Sequence, residues 1–295
     1  MQNILSIFEY IWTHPANRGR KVRAIVRAIG WQICKRILKK PINIRVFGDL
    51  TLRCYPDSPS ASLVIYCEES PDYHEMHFMR RYLRSGDNVL DVGANIGVYS
   101  LLAASLVGTA GRVLAFEPGP EAKRRLTENL QINQLNNVEV HACALGDHVG
   151  VVDFLNQQDT TNRIKTAADD GKSLVSVPLM RLDDVVRLRC ALGKMDIEGA
   201  EPIALRGAER LLQESSPPVW LLELNGSLHS FGFSETTFSE WLCQQGYDLA
   251  LYDADRCQLS FTNPEPWKMS PNVLAVARNR KLKVAQRCGA RLIDV

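Results

Sequence analysis

Apolar side chains spaced three or four positions apart dominate the first 40 residues of the chain. They recur among arginines and lysines, and this spacing predicts an amphipathic helical arm over residues 1–40. The apolar positions are Val22, Ile25, Val26, Ile29, Ile33 and Ile37. We expect this face to pack against the main domain or a partner chain, and peripheral contact with an anionic membrane is the alternative.

The pattern changes to alternation between residues 42 and 67, where β-branched residues are frequent. Alternation of this kind predicts a small antiparallel sheet or hairpin. Its expected strands are Ile42–Val46, Leu50–Cys54 and Leu63–Cys67, and its expected turns are Gly48–Asp49 and Pro56–Ser60. A helix over residues 73–84 completes a unit, residues 41–87, that should pack on the domain that follows.

Strand and helix patterns alternate from residue 88 onward. The expected strands are Val89–Val92, Arg112–Phe116, Val138–Leu145, Lys194–Ile197 and Val219–Leu224. The expected helices are Val98–Leu106, Glu121–Asn133 and Ala200–Leu212. This alternation predicts an α/β fold with a mostly parallel, Rossmann-like sheet covered on both faces.

The end of this domain breaks the alternation. Residues 248–252 and 273–277 read as two strands with no helix between them, so they should pair antiparallel at a sheet edge. Residues 153–178, whose stretch 156–171 is polar, form an excursion before the fourth core strand. We therefore expect one domain over residues 88–277, followed by a basic tail over residues 278–295.

The charge distribution is uneven, although the 295 residues carry a net charge of only +2. Residues 1–40 hold nine basic residues and one acidic residue, and residues 278–295 hold six and one. These ends carry +8 and +5, which leaves −11 for the residues between them. Basic ends can contact an anionic membrane, a nucleic acid or an acidic glycan.

The eight cysteines are scattered, and none stands in a C-x-x-C pair. We expect buried free thiols in a reducing compartment rather than a disulfide framework or a zinc site. No apolar run reaches transmembrane length. Positive charges follow the apolar start, Ile4–Trp12, instead of preceding it, which is the wrong order for a secretory signal. A cytoplasmic location is the expectation.

A glycine-containing turn follows the first core strand. Its residues are Asp91, Gly93, Ala94, Asn95 and Gly97. Open α/β sheets bind ligands at this end of their strands, and glycine lets the backbone approach a ligand closely. The dinucleotide fingerprint G-x-G-x-x-G would need glycine at positions 95 and 98, which are Asn and Val. S-adenosylmethionine, which carries an ammonium group and no pyrophosphate, suits the carboxylate of Asp91 better.

An acidic residue ends the second core strand. Glu117 lies 24 residues after Gly93 and is followed by Pro118. A carboxylate in this position can accept hydrogen bonds from ribose hydroxyls. The third strand ends near Ala144 and Leu145, which by topology should border the adenine.

Several of these segments together resemble one family. They are Asp91–Ser100, Phe116–Pro118, Asn129–Asn133, Ala144–Asp147 and Lys194–Glu201. They resemble the FkbM family of methyltransferases over about residues 45–277, and Lys194–Glu201 resembles the family's distinctive K-x-D-x-E-G-x-E. The resemblance implies a class I S-adenosylmethionine-dependent methyltransferase fold. Members mostly methylate hydroxyl oxygens of sugars or secondary metabolites, and the acceptor itself does not carry over.

Two carboxylates end the fourth core strand. Asp196 and Glu198 should share one strand face, because side chains repeat every second residue. Asp196 is the first candidate for the base that takes a hydroxyl proton or for positioning the substrate, and Glu198 is the second. A buried ion-pair network with Lys194, which shares that face, is the structural alternative.

The fifth strand and the loop after it add further candidates. Glu223 and Asn225 should lie next to Asp196, and such an oxygen-rich trio is a possible but less favoured Mg²⁺ site. His229 follows in a loop and is a third candidate for the base, because its ordinary pKa lies near neutral pH.

The expected partner is a small-molecule or glycan acceptor. A nucleic-acid methyltransferase is an alternative prompted by the basic ends. Nucleic acid is less favoured, because residues 196–199 read Asp-Ile-Glu-Gly where base methylation needs N/D-P-P-Y/F. A non-catalytic scaffold that keeps the fold is a further alternative, and the intact set of Asp91, Gly93 and Glu117 argues against it.

Overall fold

The computed structural model describes residues 4–68, 70–155, 162–166, 169, 174–261 and 265–294. The helices are α1 (Ile4–Thr13), α2 (Lys21–Ile33), α3 (Pro59–Tyr66), α4 (Tyr73–Tyr82), α5 (Val98–Val107), α6 (Pro120–Ile132), α7 (Leu182–Val185), α8 (Glu201–Arg206), α9 (Glu209–Gln213), α10 (Glu235–Gln244) and α11 (Lys281–Cys288). The strands are β1 (Ile42–Val46), β2 (Leu50–Cys54), β3 (Asn88–Val92), β4 (Arg112–Phe116), β5 (Val138–His141), β6 (Ala144–Leu145), β7 (Gly150–Leu155), β8 (Leu174–Met180), β9 (Leu192–Met195), β10 (Val219–Glu223), β11 (Tyr247–Asp253), β12 (Gln258–Ser260), β13 (Asn272–Ala277) and β14 (Arg291–Ile293).

A nine-stranded sheet forms the centre of the domain, in the order β14-β12-β11-β13-β10-β9-β3-β4-β5. The strands from β10 to β5 all run parallel. Helices cover both faces of this sheet. One buried cluster includes Phe116 and Trp220, and a second includes Val113 of β4 and Phe78 of α4. The predicted α/β fold with a mostly parallel sheet is confirmed.

The antiparallel ending of the sheet is confirmed in part. β13 pairs antiparallel with both β10 and β11. The pair does not form the edge, however, because β12 and β14 extend the sheet beyond β11. The prediction of a tail over residues 278–295 was wrong, since α11 buries Val284, Ala285 and Cys288 and β14 pairs with β12. Three of the six basic residues that suggested a tail lie in α11, and two of these, Lys281 and Arg287, pair with Asp248 and Asp87 of the domain.

Residues 41–87 begin with the expected hairpin and then depart from the prediction. β1 and β2 pair antiparallel, with Ile42 opposite Cys54. Residues 63–67, expected as a third strand, instead form the end of α3 and its C-cap. The Ser58 side chain accepts the N–H of Ala61, and Pro59 occupies the first turn, so the supposed turn is a helix start.

The third core strand stops earlier than expected. β5 ends at His141, and β6 belongs to a separate three-stranded sheet, β6-β8-β7. This sheet is the predicted excursion, although much of its polar stretch 156–171 lies outside the described residues. The helix expected over Ala200–Leu212 is split into α8 and α9 at Gly207, where a Cβ would lie 1.9 Å from the Gly146 carbonyl oxygen.

The N-terminal arm is helical as predicted, but its apolar face is not packed. α2 contacts the domain through Ala24, Ala28 and Trp31, all of which are buried. The predicted stripe is largely on the opposite side of the helix and is exposed. Small alanines permit the closer approach, so they form the contact in place of the larger β-branched residues.

The remaining expectations concern thiols and membranes. All eight cysteines are unpaired, and six of them are buried, as the sequence predicted. Within the described ranges, no helix combines the length and apolar character needed to cross a bilayer.

Candidate active site

The loop between β3 and α5 is shaped by three residues with positive φ: Gly93 at 79°, Asn95 at 50° and Gly97 at 93°. A Cβ on Gly93 would lie 1.9 Å from the Asp196 carbonyl oxygen, and one on Gly97 would lie 2.5 Å from Leu126 Cδ1. The two glycines therefore let the loop lie directly against the end of β9 and against α6. The loop is fixed by packing as well as by its conformation.

The side chain of the buried Asn129 hydrogen-bonds the backbone of this loop. Asn129 of α6 donates to the Ile96 carbonyl oxygen at 2.9 Å and accepts the N–H of Arg53 at 2.8 Å. One side chain thus joins β2, α6 and the loop. The segment Asn129–Asn133 was prominent in the sequence, and the structure gives Asn129 a positioning role.

A cavity of about 310 Å³ opens at the carboxyl ends of the parallel strands. Its volume lies at the lower end of the range for small-molecule sites. Of the residues expected to bind a cofactor, seven line it: Gly93, Ala94, Asn95, Glu117, Pro118, Ala144 and Leu145. α3 and the loop before α4 also contribute, through Ser60 and Asp72, so the N-terminal unit forms part of the site.

Glu117 is almost fully buried at the end of β4. Its Oε2 accepts the N–H of Asn95 at 2.8 Å, and its Oε1 accepts the N–H of Gly119 at 2.8 Å. These two bonds fix the carboxylate between two turns. The carboxylate is thereby held at the cavity wall, where it can contact a ligand.

Asp91 and Gly97 do not line the cavity, in contrast to the prediction that they touch the cofactor. Asp91 is buried beneath the loop, where its Oδ2 accepts the Ser100 hydroxyl at 2.6 Å. Burial raises the pKa of Asp91, and the ammonium of Lys194 opposes that shift. Asp91 stands opposite Lys194 in the register of β3 and β9, so its role here is to support Lys194.

Lys194, Asp196 and Glu223 form a linked group. Lys194 Nζ lies 3.1 Å from Asp196 Oδ2, which confirms that the two side chains share a face. Burial favours the neutral form of both side chains, yet their attraction raises the pKa of Lys194 and lowers the pKa of Asp196. Burial and the adjacent Asp196 charge raise the pKa of Glu223, and the two carboxyl groups share a hydrogen bond.

Glu198 follows in a tight turn, where its φ is 56°. It lines the same cavity as Asp196. Burial, and then the Asp196 charge, raise the pKa of Glu198 to about 7. A carboxylate with such a pKa can exchange a proton near neutral pH.

The predicted metal trio is Asp196, Glu223 and Asn225. The carboxylates of Asp196, Glu198 and Glu223 approach one another within 4.8 Å, and the Asn225 side chain hydrogen-bonds Glu198 and accepts the N–H of Ser227. Lys194 already supplies a positive charge to Asp196. A Mg²⁺ ion would have to compete with this ammonium for Asp196, so this donor set fits Mg²⁺ poorly.

His229, the third candidate for the base, lies outside the cavity. Its side chain is 68% exposed, and its Nε2 lies 3.5 Å from Glu235 Oε2. It belongs to a short 3₁₀ turn, Ser227–Phe231, and is not among the residues that line the cavity. A loop histidine cannot be placed from sequence alone, and this one points to solvent.

Sequence reasoning missed a polar pair in the cavity wall. Tyr99 Oη donates to Asp72 Oδ2 at 2.8 Å, and both residues line the cavity. Lys194 Nζ lies 5.0 Å from the Tyr99 ring centroid. Tyr99 stood within the segment Asp91–Ser100, but Asp72 lies before α4 and carried no motif that marked it.

The chain is similar to known methyltransferases. A family model described as a methyltransferase FkbM domain matches residues 91–249. Methyltransferase sdnD of Sordaria araneosa is 31% identical over 162 residues, covering 43% of this chain and 62% of that protein. The 31-O-demethyl-FK506 methyltransferase FkbM of Streptomyces tacrolimicus is 32% identical over 161 residues, covering 43% and 61%. These matches span about three fifths of the length of the curated relatives.

A solved structure gives a more distant match. The crystal structure of methyltransferase FkbM from Methylobacillus flagellatus KT has a TM-score of 0.43 with this chain at 21% identity. The match covers 74% of this chain and 53% of that one.

Proposed function

This chain belongs to the FkbM methyltransferase family, and we propose that it transfers a methyl group from S-adenosylmethionine to a hydroxyl oxygen of a small-molecule or glycan acceptor. One observation carries the proposal. A single cavity joins the turn at Gly93 and the carboxylate of Glu117 to the acidic pair Asp196 and Glu198. Groups suited to a nucleoside and groups suited to proton transfer thus face the same space.

The cavity fits the proposed donor at two ends. Glu117, held by two backbone N–H groups, lines the cavity at the end of β4, where a carboxylate can accept hydrogen bonds from ribose hydroxyls. Asp72, rather than the buried Asp91, offers a carboxylate at the cavity wall for the ammonium group of the donor. When bound, S-adenosylmethionine would supply an electrophilic methyl group on a positively charged sulfur.

Glu198 is the proposed base. It accepts the proton that the hydroxyl loses while the oxygen bonds to the methyl carbon and the carbon–sulfur bond breaks with its electrons going to sulfur. Its pKa of about 7 lets it be ionised before the reaction and protonated after it. Asp196 has a lowered pKa and two hydrogen-bond donors, so it is a weak base. Its role is to orient the acceptor hydroxyl.

The division of roles predicts a pH profile. The wild-type rate should rise as pH rises through about 7, because Glu198 must be ionised. Glu198→Gln should lower kcat about 10²–10⁴-fold and remove this rise. Asp196→Asn removes the charge that raises the pKa of Glu198, so the rise should move to lower pH. An unchanged profile in Glu198→Gln would assign the base elsewhere.

The acceptor is to be found by labelling. The full chain is incubated with methyl-labelled S-adenosylmethionine and a fractionated cell extract that contains metabolites, glycans and nucleic acids, and the labelled product is identified by mass spectrometry. We expect a methyl ether that Glu198→Gln fails to form at the wild-type rate. Binding of S-adenosylmethionine is measured separately by calorimetry. A labelled nucleic acid as the sole product would replace the proposed acceptor class, and absence of binding would overturn the proposed donor.

A further inference from the structure

The outward side of α2 and of the π-helical turn Cys34–Leu38 that continues it carries a continuous row of large aliphatic side chains. We call Val22, Val26, Ile29, Ile33 and Ile37 the apolar ridge. Their exposed fractions run from 51% to 72%. The spacing of three or four residues places them along one side of the helix. The domain contact lies on the other side, so no described part of the chain covers the ridge.

α1 presents a second apolar face. Leu5, Phe8 and Trp12 are exposed at helical spacing, and the rings of Phe8 and Trp12 stack with centroids 5.6 Å apart. Lys21 Nζ lies 4.7 Å from the Trp12 ring centroid, so the two helices meet beside the start of the ridge.

This concentration of exposed apolar residues is confined to one end of the chain. Fifteen large apolar side chains are exposed among the described residues, and nine of them lie between residues 5 and 38. Single exposed apolar residues are ordinary, whereas a contiguous apolar surface marks a site of interaction.

The charges around the ridge select the partner. Residues 1–40 carry +8. Some of that charge is neutralised within the fold, since Arg18 pairs with Asp255 and Arg27 with Glu68. Arg36, Lys39 and Lys40 are exposed at the end of the ridge and form no ion pair with a described carboxylate. An apolar ridge with unneutralised cations beside it matches an anionic lipid surface.

We propose that α1 and α2 bind the surface of an anionic membrane, with the apolar ridge entering the acyl boundary and Arg36, Lys39 and Lys40 facing the headgroups. Aliphatic side chains leave water on insertion, and the cations meet opposite charge, so both contributions act in the same direction. A second copy of this chain would bring the same unneutralised cations, Arg36, Lys39 and Lys40, to the contact, and their repulsion opposes self-association through this surface.

The experiment is co-sedimentation of the full chain with vesicles of phosphatidylcholine, with or without phosphatidylglycerol. The chain should bind only the anionic vesicles. The triple variant Val26→Glu/Ile29→Glu/Ile33→Glu should lose binding. Val149→Glu/Val151→Glu, which alters exposed apolar residues on β7 and its approach, is the control and should bind like wild type. Replacing Arg36, Lys39 and Lys40 by Gln should weaken binding about a hundredfold, at about fivefold per charge.

Two results would overturn the proposal. One is wild-type chain that stays in the supernatant with anionic vesicles. The other is a wild-type dimer in lipid-free sedimentation velocity that the triple variant converts to a monomer, because the ridge would then join two copies. Circular dichroism and cofactor calorimetry on each variant establish that a loss of vesicle binding is not a loss of fold. Neither outcome depends on the methyl acceptor.

Discussion

Replacing Gly93 by alanine should force apart the two strand ends on which the cavity is built. The added Cβ would lie 1.9 Å from the Asp196 carbonyl oxygen, where real contacts are at least 3.0 Å, so the loop and the end of β9 must separate by roughly 1 Å. The φ of +79° adds about 1–2 kcal/mol of strain for alanine. Overpacking adds about 1–3 kcal/mol, giving a loss of about 2–5 kcal/mol in the free energy of unfolding.

Gly86→Ala is the matched control. Gly86 has a similar φ of +87°, and a Cβ added there would meet nothing within 4 Å, so only the backbone strain applies. Urea unfolding measures both variants, and calorimetry measures their affinity for S-adenosylmethionine. Gly93→Ala should be the less stable by about 1–3 kcal/mol and should bind at least tenfold more weakly. Equal stability and equal affinity in the two variants would refute the close approach as the reason for this glycine.

Three further results are expected. Glu201 is fully buried with a pKa raised to about 8 by burial, so its contribution to stability is complete below about pH 4.5 and is lost as pH rises through about 8. In urea unfolding Glu201→Gln should flatten that decline, and a profile parallel to wild type would contradict it. Asp72→Asn should weaken S-adenosylmethionine binding about ten- to a hundredfold by calorimetry, whereas Asp255→Asn, which alters another tyrosine-paired carboxylate, should leave it unchanged. Methyl transfer should survive exhaustive chelation with EDTA, because Lys194 already supplies the cation beside Asp196; full loss restored by Mg²⁺ would reverse that assignment.

The sheet and the loop at Gly93 could be predicted because local rules and tertiary packing agree there. Short apolar runs of valine and leucine form most of the buried strands, glycine permits positive φ, and the acidic residue at position 117 follows its strand at the sheet edge where ligands bind. The pairing of Lys194 with Asp196 followed from the two-residue period of a strand. These features depend on the geometry of residues that are close together in the sequence, so they can be predicted from it.

The predictions that the structure corrects share a different cause. Residues 63–67 were assigned from β-branched composition, although Ser58 and Pro59 mark a helix start. The packed side of α2 is formed by two alanines, Ala24 and Ala28, together with Trp31, and the periodicity of the aliphatic residues does not reveal it. Asp72 lines the cavity because the N-terminal unit packs against the domain. Asp91 does not line the cavity, because its interactions with Ser100 and Lys194 keep its carboxylate buried below the loop. Contacts between distant segments decide each case.

The arrangement around Lys194 has a consequence for turnover. Two carboxylates, Asp91 and Asp196, face this single ammonium group, and Asp72 adds a third acidic side chain at the cavity wall. The proposed donor enters as a sulfonium cation and leaves as a neutral thioether. Acidic side chains attract the sulfonium cation, whereas their attraction for the neutral thioether is much weaker. The transfer of the methyl group therefore weakens the attraction that holds the spent cofactor, and product inhibition should be milder than shape alone would give.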